Sequence, residues 1–187
     1  MTETEEAIRR FLADDEQAFD QIVRRWETKV YNFAWRLLGN REDAQDMVQE
    51  TFLSVFKSLR SLRAPENFPA WLYRITLNHC QVRWRTQTPE ISFNDTGERS
   101  EAGEVRTLEP ASAETAGMAV ENADLIRKAL MGLNEDHRAA IILKEYLGLS
   151  LEEVAGVMGC PLSTAKSRLY HGLRGVQHNL KRLGFRL

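Results

Sequence analysis

Three groups of side chains in this sequence have the type and spacing to do chemistry. From Pro161 to Leu187 the chain carries Lys166, Arg168, Arg174, Lys181, Arg182 and Arg186 with no Asp or Glu. A purely basic run suits a polyanion, because each Lys or Arg that neutralises a phosphate releases a counterion. Near its start, Ser163 and Thr164 offer hydroxyls and unpaired backbone N–H groups at a helix beginning, a natural phosphate site. A second basic group lies between Arg60 and Arg85, with five arginines against one acid, Glu66. The third group is acidic: Asp43, Asp46 and Glu50 stand at i, i+3 and i+7, one side of a helix, with Gln49 beside them. Taken alone, such a stripe reads as a solvated helix face; a contact for a basic protein surface is the alternative.

Catalytic chemistry finds no support. The cysteines are Cys80 and Cys160, neither in a CxxC pair, and the four histidines are scattered. His79 beside Cys80 is the one fragment of a metal site, and without further ligands both read as structural. No Gly-rich nucleotide loop or nucleophile elbow occurs. The sequence therefore predicts no catalytic residue, no metal and no cofactor.

The basic run needs an element to present it. Ser150 and Glu153 form a capping box, Leu149 can staple against Val154, Gly159 suits a left-handed exit, and Pro161 cannot continue the helix. Ser163 is expected to cap the next helix. Two short helices at a tight corner make a helix-turn-helix, whose second helix fits a DNA major groove. Upstream, Phe19, Ile22, Val23, Trp26, Val30, Phe33, Ala34, Leu37 and Leu38 recur at helical steps up to Gly39. A second helix is predicted from about Arg41 to Leu59, carrying the acidic stripe. A third, after Pro65 and Pro69, carries Trp71, Leu72, Ile75, Leu77 and Val82 together with Arg74 and Asn78. Trp71 and Tyr73 could stack on bases, but Trp71 shares the apolar side with Ile75 and reads as core. A further helix starts near Asn122, and Asn134 caps another that stops at Gly148. With no period-two run of β-branched residues, the class is all-α.

The chain has 187 residues, 43% apolar, and a net charge of −2. That charge is unevenly divided. Residues 87 to 119 hold 2 basic and 7 acidic side chains, whereas residues 120 to 187 hold 10 and 7. The middle stretch, rich in Glu, Thr, Ser, Ala and Gly, reads as a flexible acidic linker between two small helical domains, 1–86 and 120–187. No apolar run is long enough to span a bilayer and the acidic N-terminus is unlike a secretory leader, so no membrane insertion and a cytoplasmic location are expected.

Four segments together resemble one family. They are Asp43-Ala-Gln-Asp-Met-Val-Gln-Glu-Thr-Phe52, Phe68-Pro-Ala-Trp-Leu-Tyr-Arg-Ile-Thr-Leu-Asn78, Gly148-Leu-Ser-Leu-Glu-Glu-Val-Ala155 and Pro161-Leu-Ser-Thr-Ala-Lys-Ser-Arg-Leu169. In order and spacing they are similar to the extracytoplasmic-function sigma factors of bacteria. The resemblance implies a non-enzymatic initiation factor that joins core RNA polymerase, contacting the clamp of the beta-prime subunit and the beta flap, and that binds promoter DNA and helps open it. It implies a region 2 domain over 1–86 and a region 4 domain over 120–187. By the same resemblance Asp43, Asp46, Gln49 and Glu50 face the basic coiled coil of the clamp. Leu62, Arg63, Ala64, Arg74 and Asn78 read the minus-ten element, where a base turned out of the duplex shows its edge to an amide. Lys166, Ser167, Tyr170 and His171 match the groove-facing positions for the minus-thirty-five element, with Arg168 and Arg174 close to phosphates. The sequence departs from the family at His171, Gly172 and Leu173, where basic residues are common. An anti-sigma factor is the implied regulator. The linker's counterpart threads through the polymerase; a plain tether is the alternative.

Two other classes compete. A helix-turn-helix regulator acting without polymerase would leave residues 1–86 unexplained, and no heptad seam for dimerisation is present. A helical enzyme would need a constellation of reactive groups that the sequence lacks.

Overall fold

Short caps and apolar steps of three and four residues set the architecture. The structure is a computed structural model describing residues 2–87 and 117–185, and among these residues there are eight α-helices and no strand. The expected linker over 87–119 lies outside the described residues apart from its two ends, where Gln87 closes one helix and Gly117 opens the next.

Helix α1 (Glu3–Leu12) is an addition to the sequence reading. Thr2 and Glu5 form a capping box, and Ala7, Ile8 and Phe11 are buried against α2 (Ala18–Leu38). Full burial of an Ile or Phe side chain contributes roughly 1.5–3 kcal/mol, enough to hold ten residues that would fray alone. Helix α2 ends at Gly39, whose left-handed φ of 75° favours glycine; a Cβ there would also press on the flexible Met131 side chain, 2.7 Å from its Sδ. Asn40 then caps α3 (Arg41–Ser58), accepting from the backbone N–H of Glu42 at 2.8 Å. A short 3-10 turn begun by Pro65 leads into α4 (Phe68–Gln87).

In the C-terminal segment α5 (Gly117–Met131) is followed by α6 (Glu135–Ile141), capped by Asn134 as its side chain requires, and by one π-helical turn, Ile142–Tyr146. Ser150 and Glu153 make the expected capping box on α7 (Leu151–Met158), and Gly159 closes it with φ 62°. Helix α8 (Leu162–Arg182) starts sooner than expected. Pro161, not Ser163, is its cap: its backbone is fixed at φ −58° and ψ 149°, and its carbonyl already accepts from Ala165 N–H at 3.0 Å. Ser163 therefore sits inside the first turn.

The two helical segments lie against each other. Buried residues of α1–α4 and Ala139, Ile142, Leu143, Val154, Val157 and Ala165 belong to one apolar cluster, with α7 packed along α4. At the helix-turn-helix corner, a Cβ on Gly159 would lie 3.8 Å from Arg74 Nη2. Arg138, only 5% exposed, ties the segments. It donates to the carbonyls of Leu130 (3.1 Å), Met131 (3.1 Å) and Leu133 (3.0 Å), and across the junction to Leu37 O. Trp84 of α4 offers its ring face 5.8 Å away. One guanidinium thus satisfies the C-terminal ends of both α2 and α5, where helix dipoles favour a cation. Nearby, Arg36 donates to the Tyr146 hydroxyl and stacks on its ring.

Candidate functional site

Helix α8 presents one outward face. Ser163, Lys166, Ser167, Tyr170 and Arg174 recur at three- and four-residue steps and all are exposed, while Ala165 and Gly172 turn inward. Over its 21 residues the helix is about 31 Å long, ample to lie along a groove. Thr164 is half-buried beside this face. Two members of the expected set are otherwise engaged. Arg168 pairs with Asp136 of α6 at 2.6 Å, so its guanidinium is held on the flank rather than projected with Lys166. His171 stacks on His137, ring centroids 6.0 Å apart. Partial burial, followed by the nearness of His171, holds the His137 imidazole below its ordinary range, so this ring stays neutral more readily than a free histidine. Gly172 is explained by packing: a Cβ would meet His137 O and Ile141 Cδ1, each at 2.9 Å, so a long basic side chain has no room without displacing α6.

Helix α4 carries a second exposed face. Arg74, Asn78, Val82 and Arg85 follow one another at i, i+4, i+8 and i+11, and Arg63 projects from the loop before the helix. Leu62 and Ala64, the other expected loop contacts, are half-buried, and Leu62 packs on the core. Tyr73 is interior, edge-on to Trp26 and Phe33, and burial pushes its phenol up to about 12. Trp71 is half-buried against Phe68, on the apolar side as its spacing predicted.

Helix α3 resolves the acidic stripe into two kinds of residue. Asp46, Gln49 and Glu50 are exposed. Asp43 departs from the expected solvent-facing stripe: it is 4% exposed and accepts from Arg83 of α4, with Arg83 Nε at 2.8 Å. The hydrogen bonds and field of Asp43 raise the Arg83 pKa above its already high ordinary value. One turn along, His79 Nδ1 lies 3.2 Å from Glu50 Oε2, and His79 Nε2 lies 2.9 Å from Ser54 Oγ. His79, Arg83 and Ser54 were not singled out for a binding role by sequence reasoning, although 79 and 83 share one side of α4. Burial pushes the Cys80 thiol up, which marks it as a core residue. Among the described residues no three His, Cys, Asp or Glu side chains gather to hold a metal ion, and no helix is long and apolar enough to cross a membrane.

Comparison with known proteins gives this arrangement a class. Residues 22–90 match sigma-70 region 2 and residues 123–174 match sigma-70 region 4. The chain is 29% identical over 183 residues to the RNA polymerase sigma-H factor of Pseudomonas aeruginosa, covering 96% of this chain and 94% of that protein. Its fold is similar to that of CnrH in complex with the cytosolic domain of CnrY (TM-score 0.69, 21% identity, covering 97% of this chain and 99% of that one). It is also similar to sigma factor RpoE of Bartonella quintana in complex with the anti-sigma factor NepR (TM-score 0.63, 24% identity, 87% and 96%). Regions 2 and 4, in that order, define a subunit that directs RNA polymerase to promoters. The chain belongs to the sigma-70 family, in its extracytoplasmic-function branch. It is an alternative sigma factor that acts with core RNA polymerase in promoter-specific initiation, and sigma factors are not enzymes.

Proposed function

We propose a division of labour among the three faces just described. Asp46, Gln49 and Glu50 bind the basic coiled coil of the beta-prime clamp, with Asp43 acting from behind by fixing α4 through Arg83. Arg63, Arg74 and Asn78 engage the minus-ten element, Asn78 through the edge of an unstacked base and the arginines through backbone phosphates. The outward face of α8, with Lys166, Ser167 and Tyr170 toward base edges and Ser163, Thr164 and Arg174 toward phosphates, reads the minus-thirty-five element. His171 and Arg168 flank that face. The region 2 unit spans 1–86, the region 4 unit 120–187, and residues 87–119 tether them. The factor works in the cytoplasm, performs no catalysis itself, meets the beta flap as a second polymerase contact, and is held in check by an anti-sigma factor.

The observation that carries this reading is that an acidic face and a basic face stand on adjacent helices, α3 and α4, while α8 carries basic and polar groups outward and has no Asp or Glu over its whole length. Charge complementarity of that kind suits one polyanion and one basic protein at once. The test is run-off transcription from a library of promoter fragments with core polymerase. Promoter-specific transcripts that depend on this chain are expected. Specific DNA binding without any effect on core polymerase would instead point to a free-standing regulator.

A further inference from the structure

Between the acidic face of α3 and the DNA-facing stripe of α4 runs a polar seam. The helices are antiparallel there: Asp43 meets Arg83, and further along Glu50 and Ser54 meet His79. Its two halves differ in exposure. Asp43 is buried under Arg83, whereas the side chains of His79 and Glu50 are 27% and 54% exposed. An enclosed pair is fixed, but a half-exposed carboxylate can exchange one partner for another at little cost. His79 lies three residues before Val82, roughly 60° around the helix from it, so its ring stands at the border of the DNA-facing stripe.

We propose that His79 hands over from Glu50 to a DNA phosphate when polymerase takes Glu50. The inference rests on the reading of Glu50 as a polymerase contact and of Asn78 as a minus-ten contact. In the free factor the Glu50 carboxylate accepts at Nδ1, and Ser54 holds Nε2. Ser54 can serve either charge state of the ring, donating to a bare nitrogen or accepting from N–H, so the ring keeps its seat when Glu50 leaves. A basic side chain of the clamp that pairs with Glu50 removes the acceptor from Nδ1. The freed N–H, one residue from Asn78, then takes the phosphate next to the base that Asn78 reads. His79 thereby competes with polymerase for Glu50 before assembly and adds a backbone contact after it. Because Glu50 serves one partner or the other, the two binding events favour each other.

Two substitutions separate this role from a structural one. His79→Leu removes both contacts; His79→Lys keeps a donor for phosphate but grips Glu50 with a permanent charge. Affinity for core polymerase is measured without DNA, using fluorescently labelled full-length factor. Binding of the assembled holoenzyme is measured on a labelled fork carrying a minus-ten element selected by the wild-type holoenzyme. His79→Leu is expected to bind core roughly two- to fivefold more tightly, the scale of an exposed pair removed as competitor. Its holoenzyme is expected to bind the fork roughly three- to tenfold more weakly, the scale of one ordinary net hydrogen bond. His79→Lys is expected to do the opposite, weakening core binding while preserving fork binding. Parallel losses in both assays for both variants would mean that His79 only supports the fold, and unchanged fork binding by His79→Leu would remove the phosphate contact; either overturns the handover. Glu50→Gln, assayed for core binding alone, tests the underlying reading separately: no loss there discards Glu50 as a polymerase contact.

Discussion

Arg138→Met is the most exacting perturbation of this fold. The substitution keeps an unbranched apolar stem and removes the guanidinium that serves Leu130 O, Met131 O, Leu133 O and Leu37 O. Hydrogen bonds from a charged donor contribute about 1.5–3 kcal/mol each, but the carbonyls stranded at the ends of α2 and α5 are reachable by water once the junction loosens, so the four do not sum. A loss of about 3–5 kcal/mol is expected, the equivalent of about two of the four charge-assisted bonds. With a urea dependence of about 2 kcal/mol per molar, the unfolding midpoint should fall by about 2 M. Circular dichroism in urea reads that shift, and small-angle scattering without denaturant should show an enlarged particle, because Leu37 O is the contact that crosses between segments. A fall of less than about 0.5 M with unchanged dimensions would refute the reasoning, since Arg138 would then be a bystander in the junction.

Other expectations follow from the same geometry. Asp46→Arg combined with Glu50→Arg should abolish association with core polymerase while helix content by circular dichroism is kept, because both side chains are exposed and a contact turned repulsive costs several kcal/mol; normal competition for core would mean a merely solvated face. Asn78→Ala should relax minus-ten preference by roughly 1–3 kcal/mol at one base and leave minus-thirty-five preference intact, and Lys166→Ala should do the reverse. Transcription from libraries randomised in each element distinguishes these outcomes from a uniform loss. Gly172→Lys should lower stability by roughly 1–3 kcal/mol because its Cβ meets His137 O; an unchanged urea midpoint would count against that packing account. The isolated factor should bind duplex promoter DNA weakly and gain specificity with core polymerase; nanomolar specific binding alone at physiological salt, seen by gel shift, would contradict this.

Local chemistry made much of the fold legible. The apolar steps of α2 and α3, the Asn134 cap, the Ser150–Glu153 box and the Gly39 and Gly159 exits are signals contained within a turn or two. Helix α1 has such a signal in Thr2, Glu5 and the Ala7–Ile8–Phe11 steps, but Glu3, Glu5 and Glu6 fill its first turn and mask the periodicity. What sequence could not supply were partners far along the chain. Asp43 is turned inward by Arg83, forty residues away, and Arg168 is held to the flank by Asp136, and neither partner is visible in helical spacing. The junction made by Arg138 has no local signature at all, because the carbonyl it reaches across to is a hundred residues distant. The start of α8 was misjudged for a nearer reason: a hydroxyl at Ser163 is a good cap, but the fixed torsion of Pro161 had already begun the helix.

The contact of α7 along α4 has a consequence for scale. Promoter elements named for positions minus ten and minus thirty-five are about 25 base pairs apart, on the order of 85 Å of duplex at 3.4 Å per step. In this structure α7 packs along α4 and α8 packs on α7, so the two faces proposed to read DNA stand on helices joined through a single neighbour. A ruler folded to that length cannot measure a promoter. Spanning both elements requires the segments to part and Arg138 to release Leu37 O, and the free energy of that parting sets a threshold that polymerase and DNA must jointly exceed before this factor reads anything.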